Sequence, residues 1–193
     1  KGDFVIVHWQ GDAQALTLVQ DKFGIHNIYY ARLDKGSFIF STRLRQLVHT
    51  SPVSKEIDPN ALYMFFSLGI ILPPRTIYQE VHSLEPGQYL RYQEGKVEKH
   101  TYFNFDLPGE KVEDRSWLVT RCQQVLENAV RRACGEASKV GIYLSGGIDS
   151  ALLLALAKRA DKEVFAFSMG PWGETSSDLV YARLSASFND VPH

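Results

Sequence analysis

The chain has 193 residues, of which 45% are hydrophobic and 22% are charged, and its formal net charge is −1. This length supports one medium domain or two small ones, and the composition is that of an ordinary globular protein. The near-zero net charge gives no basic footprint for RNA or DNA, and no apolar run in the sequence is long enough to span a membrane.

The first part of the chain, up to about residue 105, is rich in segments typical of β-strands. Six strands are predicted, at residues 4–9, 16–19, 28–31, 38–40, 89–92 and 97–100. The third and fourth form a predicted hairpin around Asp34-Lys35-Gly36, and a short helix is predicted over residues 42–49. Because several strands are continuously apolar rather than alternating, we expect them to be covered on both faces, as in a layered sandwich.

A second helix in this part opens at Asp58-Pro59. Aspartate suits the N-cap position of a helix, and proline suits the first helical turn. The spacing of Leu62, Phe65 and Phe66 predicts that these three side chains point into the core.

A polar segment, residues 104–114, is predicted to link two domains, residues 1–105 and 106–193. After the linker, the spacing of apolar residues predicts a long helix over residues 116–134, with Gly135 as its C-terminal cap. The apolar face of this helix is formed by five residues: Leu118, Cys122, Val125, Ala129 and Ala133.

The remaining segments alternate between strand and helix patterns. We predict a strand, a helix, a strand and a helix at residues 140–144, 149–160, 164–168 and 178–188. Asp178 is the expected N-cap of the last helix. A strand–helix–strand unit places its strands in parallel, so the predicted fold class is α+β in the first domain and α/β in the second.

The most informative motif joins the first of these strands to the helix that follows: Ser145-Gly146-Gly147-Ile148-Asp149-Ser150. A glycine-rich turn here lets the backbone approach a phosphate, and the helix start supplies free N–H groups and a partial positive charge. Asp149 would repel phosphate unless Mg²⁺ lay between them, since that ion prefers carboxylate and phosphate oxygens. The alternative is a tight turn in which Asp149 or Ser150 caps the helix. We favour phosphate binding.

This motif resembles the PP-loop of ATP pyrophosphatases, which split ATP into AMP and pyrophosphate. Three further segments resemble signatures of the glutamine-dependent asparagine synthetase family, and they occur in the family's order: Asp21-Lys22-Phe23-Gly24-Ile25 with Tyr29-Tyr30, Arg75-Thr76-Ile77-Tyr78, and Leu84-Glu85-Pro86-Gly87-Gln88-Tyr89-Leu90. The resemblance covers nearly the whole chain.

The resemblance implies the C-terminal part of a layered αββα glutaminase domain of the N-terminal-nucleophile type. It also implies that this part is followed by the start of a parallel-sheet PP-loop domain, similar to the adenine nucleotide alpha hydrolases. In such enzymes a cysteine releases ammonia from glutamine. ATP activates the aspartate side chain as an acyl-adenylate, and ammonia displaces AMP to give asparagine. The implied small molecules are ATP, Mg²⁺, aspartate, and glutamine or ammonia.

By matching positions, the resemblance implies that pyrophosphate and its metal are bound by five residues of the loop: Ser145, Gly146, Gly147, Asp149 (to Mg²⁺ through the pyrophosphate) and Ser150. Leu144 and Met169 would lie against the adenosine part, or else simply pack in the core. Ligands of such sheets sit at the carboxyl ends of parallel strands, which agrees with this placement. Trp172-Gly173-Glu174, in the next loop, is a further candidate to line the substrate site.

The chain begins Lys1-Gly2-Asp3 without a methionine and stops at His193, and we interpret it as an interior piece of a longer protein. The nucleophilic cysteine is expected upstream of Lys1, so no catalytic residue is expected within the chain. The chain alone is therefore expected to be inactive.

Three sites depart from the family pattern. Gln20 replaces an arginine, His26-Asn27 replaces Lys-Pro, and Thr42-Arg43 replaces Ser-Glu. These changes leave the ATP loop intact but bear on the glutaminase and on its coupling to synthesis. The alternative function is a related amide or lactam synthetase that acts on another carboxylate without glutaminase activity. A tRNA-modifying PP-loop enzyme fits the neutral charge less well, and a non-catalytic protein fits the intact loop less well.

Cys122 and Cys134 lie on one predicted helix and point in different directions. This arrangement favours core thiols over a disulfide or a metal pair, and it fits a reducing cytoplasm. We therefore expect a cytoplasmic enzyme with small-molecule substrates and with no nucleic-acid or membrane partner. The sequence leaves open whether the protein forms a homodimer.

Overall fold

The computed structural model describes residues 2–33, 36–106, 109, 114–170 and 176–193. Several predicted features lie outside the described residues: Asp34 and Lys35 of the hairpin turn, residues 107–108 and 110–113 of the linker, and Trp172-Gly173-Glu174. The chain divides into two compact units, Lys1–Pro108 and Gly109–His193. Each unit is described by itself.

The described part of unit 1 consists, in chain order, of β1 (Val5–Gln10), β2 (Ala15–Gln20), β3 (Tyr29–Arg32), β4 (Phe38–Ser41), α1 (Leu44–Thr50), α2 (Pro59–Leu68), β5 (His82–Ser83), β6 (Gln88–Gln93) and β7 (Lys96–Thr101). The strands form two antiparallel sheets with the orders β1-β2-β6-β7 and β4-β3-β5. The six predicted strands are confirmed to within one residue at each end. The short β5 was missed because two residues carry no periodic pattern.

A shared hydrophobic core joins the two sheets of unit 1. Its buried residues are Leu16, Leu18, Ile28, Tyr30, Leu84 and Leu90. A second cluster packs α1 against β3: Ala31, Leu47, Val48, Val53 and Val81. The expectation that continuous apolar strands are covered on both faces is wrong for β1. This strand lies at the edge of its sheet, and its Ile6, Val7 and Trp9 are exposed within the described structure.

The inward face predicted for α2 is also wrong. Its three side chains are exposed: Leu62 by 38%, Phe65 by 48% and Phe66 by 79%. The predicted N-cap is confirmed, since the Asp58 carboxylate accepts a hydrogen bond from the Asn60 N–H at 2.9 Å and pairs with Arg75. Apolar spacing therefore predicted the helix correctly, but spacing does not reveal whether any surface covers it.

The described part of unit 2 consists of α3 (Arg115–Cys134), β8 (Lys139–Tyr143), α4 (Ile148–Arg159), β9 (Glu163–Phe167) and α5 (Ser177–Phe188). These five elements are confirmed to within one residue at each end. β8 and β9 pair in parallel, with Ile142 opposite Ala166. The helices pack against this pair around one buried cluster: Val130, Leu144, Leu154, Leu156, Ala157, Val164, Ala166, Ala182, Ala186 and Val191.

The apolar face predicted for α3 is largely exposed. Leu118 and Val125 are 38% and 50% exposed, and the helix instead buries Val130 near its C-terminal end. The prediction of core thiols is wrong for Cys122, which is exposed, whereas Cys134 is half-buried against the core cluster. Neither α3 nor any other helix of the described ranges has the length and apolarity needed to cross a membrane.

Two helix caps show how local chemistry sets the ends of these elements. Gly135 is confirmed as the C-cap of α3, with its N–H bonded to the Arg131 carbonyl. The N-cap of α5 is Ser176 rather than the predicted Asp178, because the Ser176 hydroxyl accepts from the Leu179 N–H. Both residues are capping types, so the sequence alone did not separate them.

Replacement of Leu154 by alanine should destabilise unit 2 by about 2–5 kcal/mol, because this side chain is fully buried and its loss leaves a cavity. Leu153 is the matched control, since it is the adjacent leucine on α4 and is 46% exposed. Leu153→Ala should cost about 1 kcal/mol or less. Denaturant unfolding followed by circular dichroism gives both values, and equal costs would contradict the packing described for α4.

Candidate functional site

The two glycines between β8 and α4 have different structural roles. Gly146 has a φ of +85°, and a Cβ added to it would overlap the carbonyl oxygen of Asp178 and lie 2.8 Å from the carbonyl carbon. Glycine is thus required by the backbone angle and by the close approach of α5. Gly147 has a φ of −81°, and an added Cβ would come no closer than 3.5 Å, to Ser145 Oγ. The fold does not require a glycine at position 147.

Hydrogen bonds between Ser145 and Ser150 hold the loop in shape. The Ser150 hydroxyl donates to the Gly147 carbonyl at 3.0 Å and accepts from the Ser145 N–H at 3.2 Å. The Ser145 hydroxyl lies 3.0 Å from the Ser150 hydroxyl and accepts from the Gly147 N–H at 3.3 Å. The loop is therefore shaped before any ligand binds.

The start of α4 is uncapped. Its N-cap is Gly147, and no side chain of the described residues caps it, so the alternative in which Asp149 or Ser150 is the cap is wrong. Asp149 lies exposed in the first turn. An exposed helix start with uncapped N–H groups and a partial positive charge is suited to bind an anion.

Leu144 and Met169 lie in contrasting environments. Leu144 is 1% exposed and belongs to the core cluster of unit 2, so its side chain packs in the core. Its backbone N–H donates to the Phe167 carbonyl at 2.7 Å. Met169, two residues beyond Phe167, is 86% exposed and is open to a ligand at the carboxyl end of β9.

Asp149 is the carboxylate that the loop itself contributes to a candidate metal site. Within the described residues, no group of three or more His, Cys, Asp or Glu side chains is placed to hold a metal ion. Asp149 is exposed beside the uncapped helix start. An exposed carboxylate at a helix start suits a Mg²⁺ ion that also binds phosphate oxygens.

Three polar residues near the carboxyl end of β9 were not predicted from the sequence: Ser168, Arg183 and His193. With Ala166, Phe167, Gly170 and Leu179 they line a cavity of about 390 Å³ at the carboxyl end of β9. The available signal was Ser168, a polar residue that directly follows a strand of a parallel pair. Arg183 and His193 carried no signal, because their proximity depends on how α5 packs.

The two signatures in unit 1 that contain Asp21 and Pro86 contact each other. A Cβ added to Gly24, which has a φ of +65°, would lie 2.8 Å from Pro86 Cγ. The Gly87 N–H donates to the Asp21 carbonyl at 3.0 Å. These residues therefore hold the turn after β2 against the start of β6, and their role in the structure is to fix that turn.

Asp21 organises the same turn through its carboxylate. The side chain is 1% exposed and accepts hydrogen bonds from the backbone N–H groups of Phe23, at 2.9 Å, and Ile25, at 3.1 Å. Burial raises the pKa of Asp21, but these backbone donors outweigh burial and hold the pKa below its ordinary value of 3.8. The turn is therefore most stable with Asp21 ionised.

Two of the three departures from the family pattern lie close together in unit 1. His26, Asn27, Thr42 and Arg43 line one cavity of about 440 Å³ together with Val5 and Ile25. Gln20 is fully buried, and its side-chain amide has no hydrogen-bond partner among the described residues. Two of the three departures thus alter a single polar surface of unit 1.

The geometry of the loop predicts opposite effects for two alanine substitutions. Gly146→Ala should destabilise unit 2 by at least about 1–2 kcal/mol, because it adds left-handed backbone strain to the overlap with Asp178. Gly147→Ala is the matched control and should unfold close to wild type, because its Cβ has room. Thermal and denaturant unfolding of both variants measure this difference. Equal stability of the two variants would contradict the close approach at Gly146.

The pKa of Asp21 predicts a pH-dependent loss of stability. A carboxylate whose pKa is lower in the folded state than in the unfolded state stabilises the fold above about pH 3.8, and this contribution disappears as the pH falls through the folded value. Asp21→Asn should therefore be less stable than wild type at pH 7, with a gap that narrows below pH 3.8. Asp12→Asn, at an exposed position, should follow the wild-type curve. A gap that stays constant down to pH 2 would contradict the role of ionised Asp21.

Comparison with known proteins divides the chain into two matched segments. Residues 1–103 match the family model described as a glutamine amidotransferase domain, and residues 121–193 match the model described as asparagine synthase.

Several curated proteins are similar over most of the chain. Glutamine-hydrolyzing asparagine synthetase 1 of Bacillus subtilis is 28% identical over 189 residues, which cover 97% of this chain and 29% of that protein. Putative asparagine synthetase 2 of Methanocaldococcus jannaschii is 30% identical, over 90% of this chain and 34% of its own length. The amidase chyE of Penicillium rubens is 26% identical, over 78% of this chain and 22% of its own length. The chain thus spans about a third of the length of the first two relatives.

Proposed function

Because the chain belongs to the glutamine-dependent asparagine synthetase family, we propose that it contributes to an ATP-dependent ligase that forms asparagine. In this reaction ATP converts the aspartate side-chain carboxylate to an acyl-adenylate and releases pyrophosphate. Ammonia from glutamine then attacks the acyl carbon, AMP leaves, and an amide is formed. Adenylation is needed because a free carboxylate is a poor electrophile with no good leaving group.

The observation that carries this proposal is the exposed, uncapped start of α4 at the carboxyl end of β8. Backbone N–H groups there, with the hydroxyls of Ser145 and Ser150, would bind the pyrophosphate as it departs. Gly147, which the fold does not require to be glycine, would let a phosphate approach the backbone closely. Met169 would lie against the adenosine part, and Leu144 would support that site from the core.

Mg²⁺ would be held between the Asp149 carboxylate and the phosphate oxygens, where it would neutralise the charge that develops on pyrophosphate. The loop residues then have the separate task of orienting the phosphates. Asp149 lies in the first turn of α4, so the same helix start would supply both the anion-binding N–H groups and the carboxylate for the cation.

We place the C-terminal part of an αββα glutaminase domain at residues 1–105 and the start of the parallel-sheet synthetase domain at residues 106–193. The two antiparallel sheets that share a core support the first assignment, and the parallel pair β8–β9 supports the second. Residues 1–103 contain no cysteine, so the nucleophile that hydrolyses glutamine would come from outside this chain.

A second candidate function is amide or lactam formation on another carboxylate without glutaminase activity. The polar cavity lined by His26, Asn27, Thr42 and Arg43 favours it, because four of the residues that depart from the family pattern meet there. One relative, the amidase chyE, also carries a name other than asparagine synthetase.

The experiment that decides between these functions is product analysis of the full-length protein that carries this chain. It would be supplied with ATP, Mg²⁺, aspartate, and either glutamine or ammonia, and the products would be identified by mass. AMP together with asparagine from glutamine is the expected result. Adenylation of a different carboxylate, with ammonia or an internal amine as the only nitrogen source, would favour the second function. Formation of ADP would overturn adenylation altogether.

Asp149→Asn should abolish ATP–pyrophosphate exchange, because the carboxylate that would hold Mg²⁺ is lost, and should leave any glutaminase activity measurable. The matched control is Asp161→Asn, which removes a carboxylate just beyond the other end of α4. Asp161 has a φ of 55°, a conformation that asparagine tolerates. Exchange at the wild-type rate in Asp149→Asn would remove Asp149 from the proposed metal site.

A further inference from the structure

A hydrogen-bonded chain connects the segment after α5 to the residue that precedes the loop. Ser168, which directly follows β9, is half-buried, and its hydroxyl lies 2.5 Å from the Leu144 carbonyl oxygen and 2.7 Å from His193 Nε2. Ser168 lies 24 residues from Leu144 and 25 from His193 along the sequence. The fold alone brings the three groups together.

The donors and acceptors in this series of hydrogen bonds follow from counting protons. A carbonyl oxygen can only accept a hydrogen bond, so the single proton of the Ser168 hydroxyl is used on Leu144. The Ser168 oxygen must then accept from His193, and Nε2 of that ring carries a hydrogen. The order of donation is His193 to Ser168 to the Leu144 carbonyl.

The peptide group between Leu144 and Ser145 is consequently fixed on both sides. Its oxygen is held by the Ser168 hydroxyl, and its N–H is held by the Ser150 hydroxyl at 3.2 Å. The ladder between β8 and β9 extends to the Leu144 N–H, which donates to the Phe167 carbonyl. The hydrogen bond from Ser168 to the Leu144 carbonyl is thus the next contact between the two strand ends, at the point where the loop leaves the sheet.

We propose that Ser168 and His193 are positioning residues for the nucleotide. They fix the orientation of the Leu144–Ser145 peptide group, and through it they set the direction in which the loop presents Ser145 and the N–H groups at the start of α4. This role rests on the proposed function of the loop as a pyrophosphate site. It requires no contact between the nucleotide and either residue.

The test uses paired variants of the full-length protein that carries this chain. Ser168→Ala and His193→Ala remove one link each, and both should raise the KM for ATP in ATP–pyrophosphate exchange about fivefold, as expected for the loss of one hydrogen bond. The KM for the carboxylate substrate should not change. Ser168→Thr keeps the hydroxyl and His193→Gln keeps an N–H donor near the position of Nε2, so both should restore the wild-type KM. Ser185→Ala, at a half-buried serine of α5, is the control.

Hydrogen exchange without nucleotide provides a second measurement that does not depend on activity. The amides of residues 145–150 should exchange faster in Ser168→Ala and His193→Ala, and at the wild-type rate in Ser168→Thr and His193→Gln. An unchanged rate of amide hydrogen exchange together with an unchanged KM for ATP in Ser168→Ala would overturn the proposal. Faster exchange throughout unit 2 that threonine does not restore would also overturn it, since that result shows a general loss of stability.

The two proposals fail in different ways. If the wild-type protein neither binds ATP nor catalyses the exchange, the proposed function is wrong and the role in ATP binding is wrong with it. The hydrogen-exchange data would still decide whether Ser168 and His193 orient the loop. If the wild-type protein is active and the alanine variants match it in the KM for ATP and in the rate of amide hydrogen exchange, only the positioning role is wrong.

Discussion

The close approach of Gly146 to the first turn of α5 is the contact on which the geometry of unit 2 depends. The backbone of the loop passes so near the Asp178 carbonyl that no side chain fits between them. This contact brings the starts of α4 and α5 together at the carboxyl ends of β8 and β9. The internal bonds between Ser145 and Ser150 then give the loop its shape, so its backbone is arranged before any ligand arrives.

Local pattern predicted the elements of this chain well and predicted their burial poorly. Strand and helix bounds follow from the period of apolar residues and from glycine or proline at the ends, and both signals are local. Whether Phe66 on α2 or Val125 on α3 is covered depends on surfaces that come from elsewhere, and both are exposed. Spacing along a helix therefore shows which side chains share a face, and it does not show what that face contacts.

The candidate site also has a part that local sequence predicts and a part that it does not. The loop at residues 145–150 was predictable because its glycines, its serines and the flanking apolar runs are contiguous in the sequence. Ser168 and His193 were not predictable, because the hydrogen bonds that connect them to Leu144 span 24 and 25 residues. The prediction of the α5 cap was wrong for a different reason. Ser176 and Asp178 are both residue types that can cap a helix, and only the path of the backbone selects Ser176.

The missing cap at the start of α4 also has a thermodynamic consequence. α2, α3 and α5 each begin with a side chain that accepts from their own N–H groups, namely that of Asp58, Asp114 or Ser176, whereas the short α1 and α4 have no such side-chain cap among the described residues. At α4 a bound anion would fill that place, so ligand occupancy and helix stability would become one linked equilibrium. Because the Ser145–Ser150 bonds already hold the first turn in place, the anion would add to the free energy of unfolding of α4 in proportion to the logarithm of its concentration, without any change in the surrounding core.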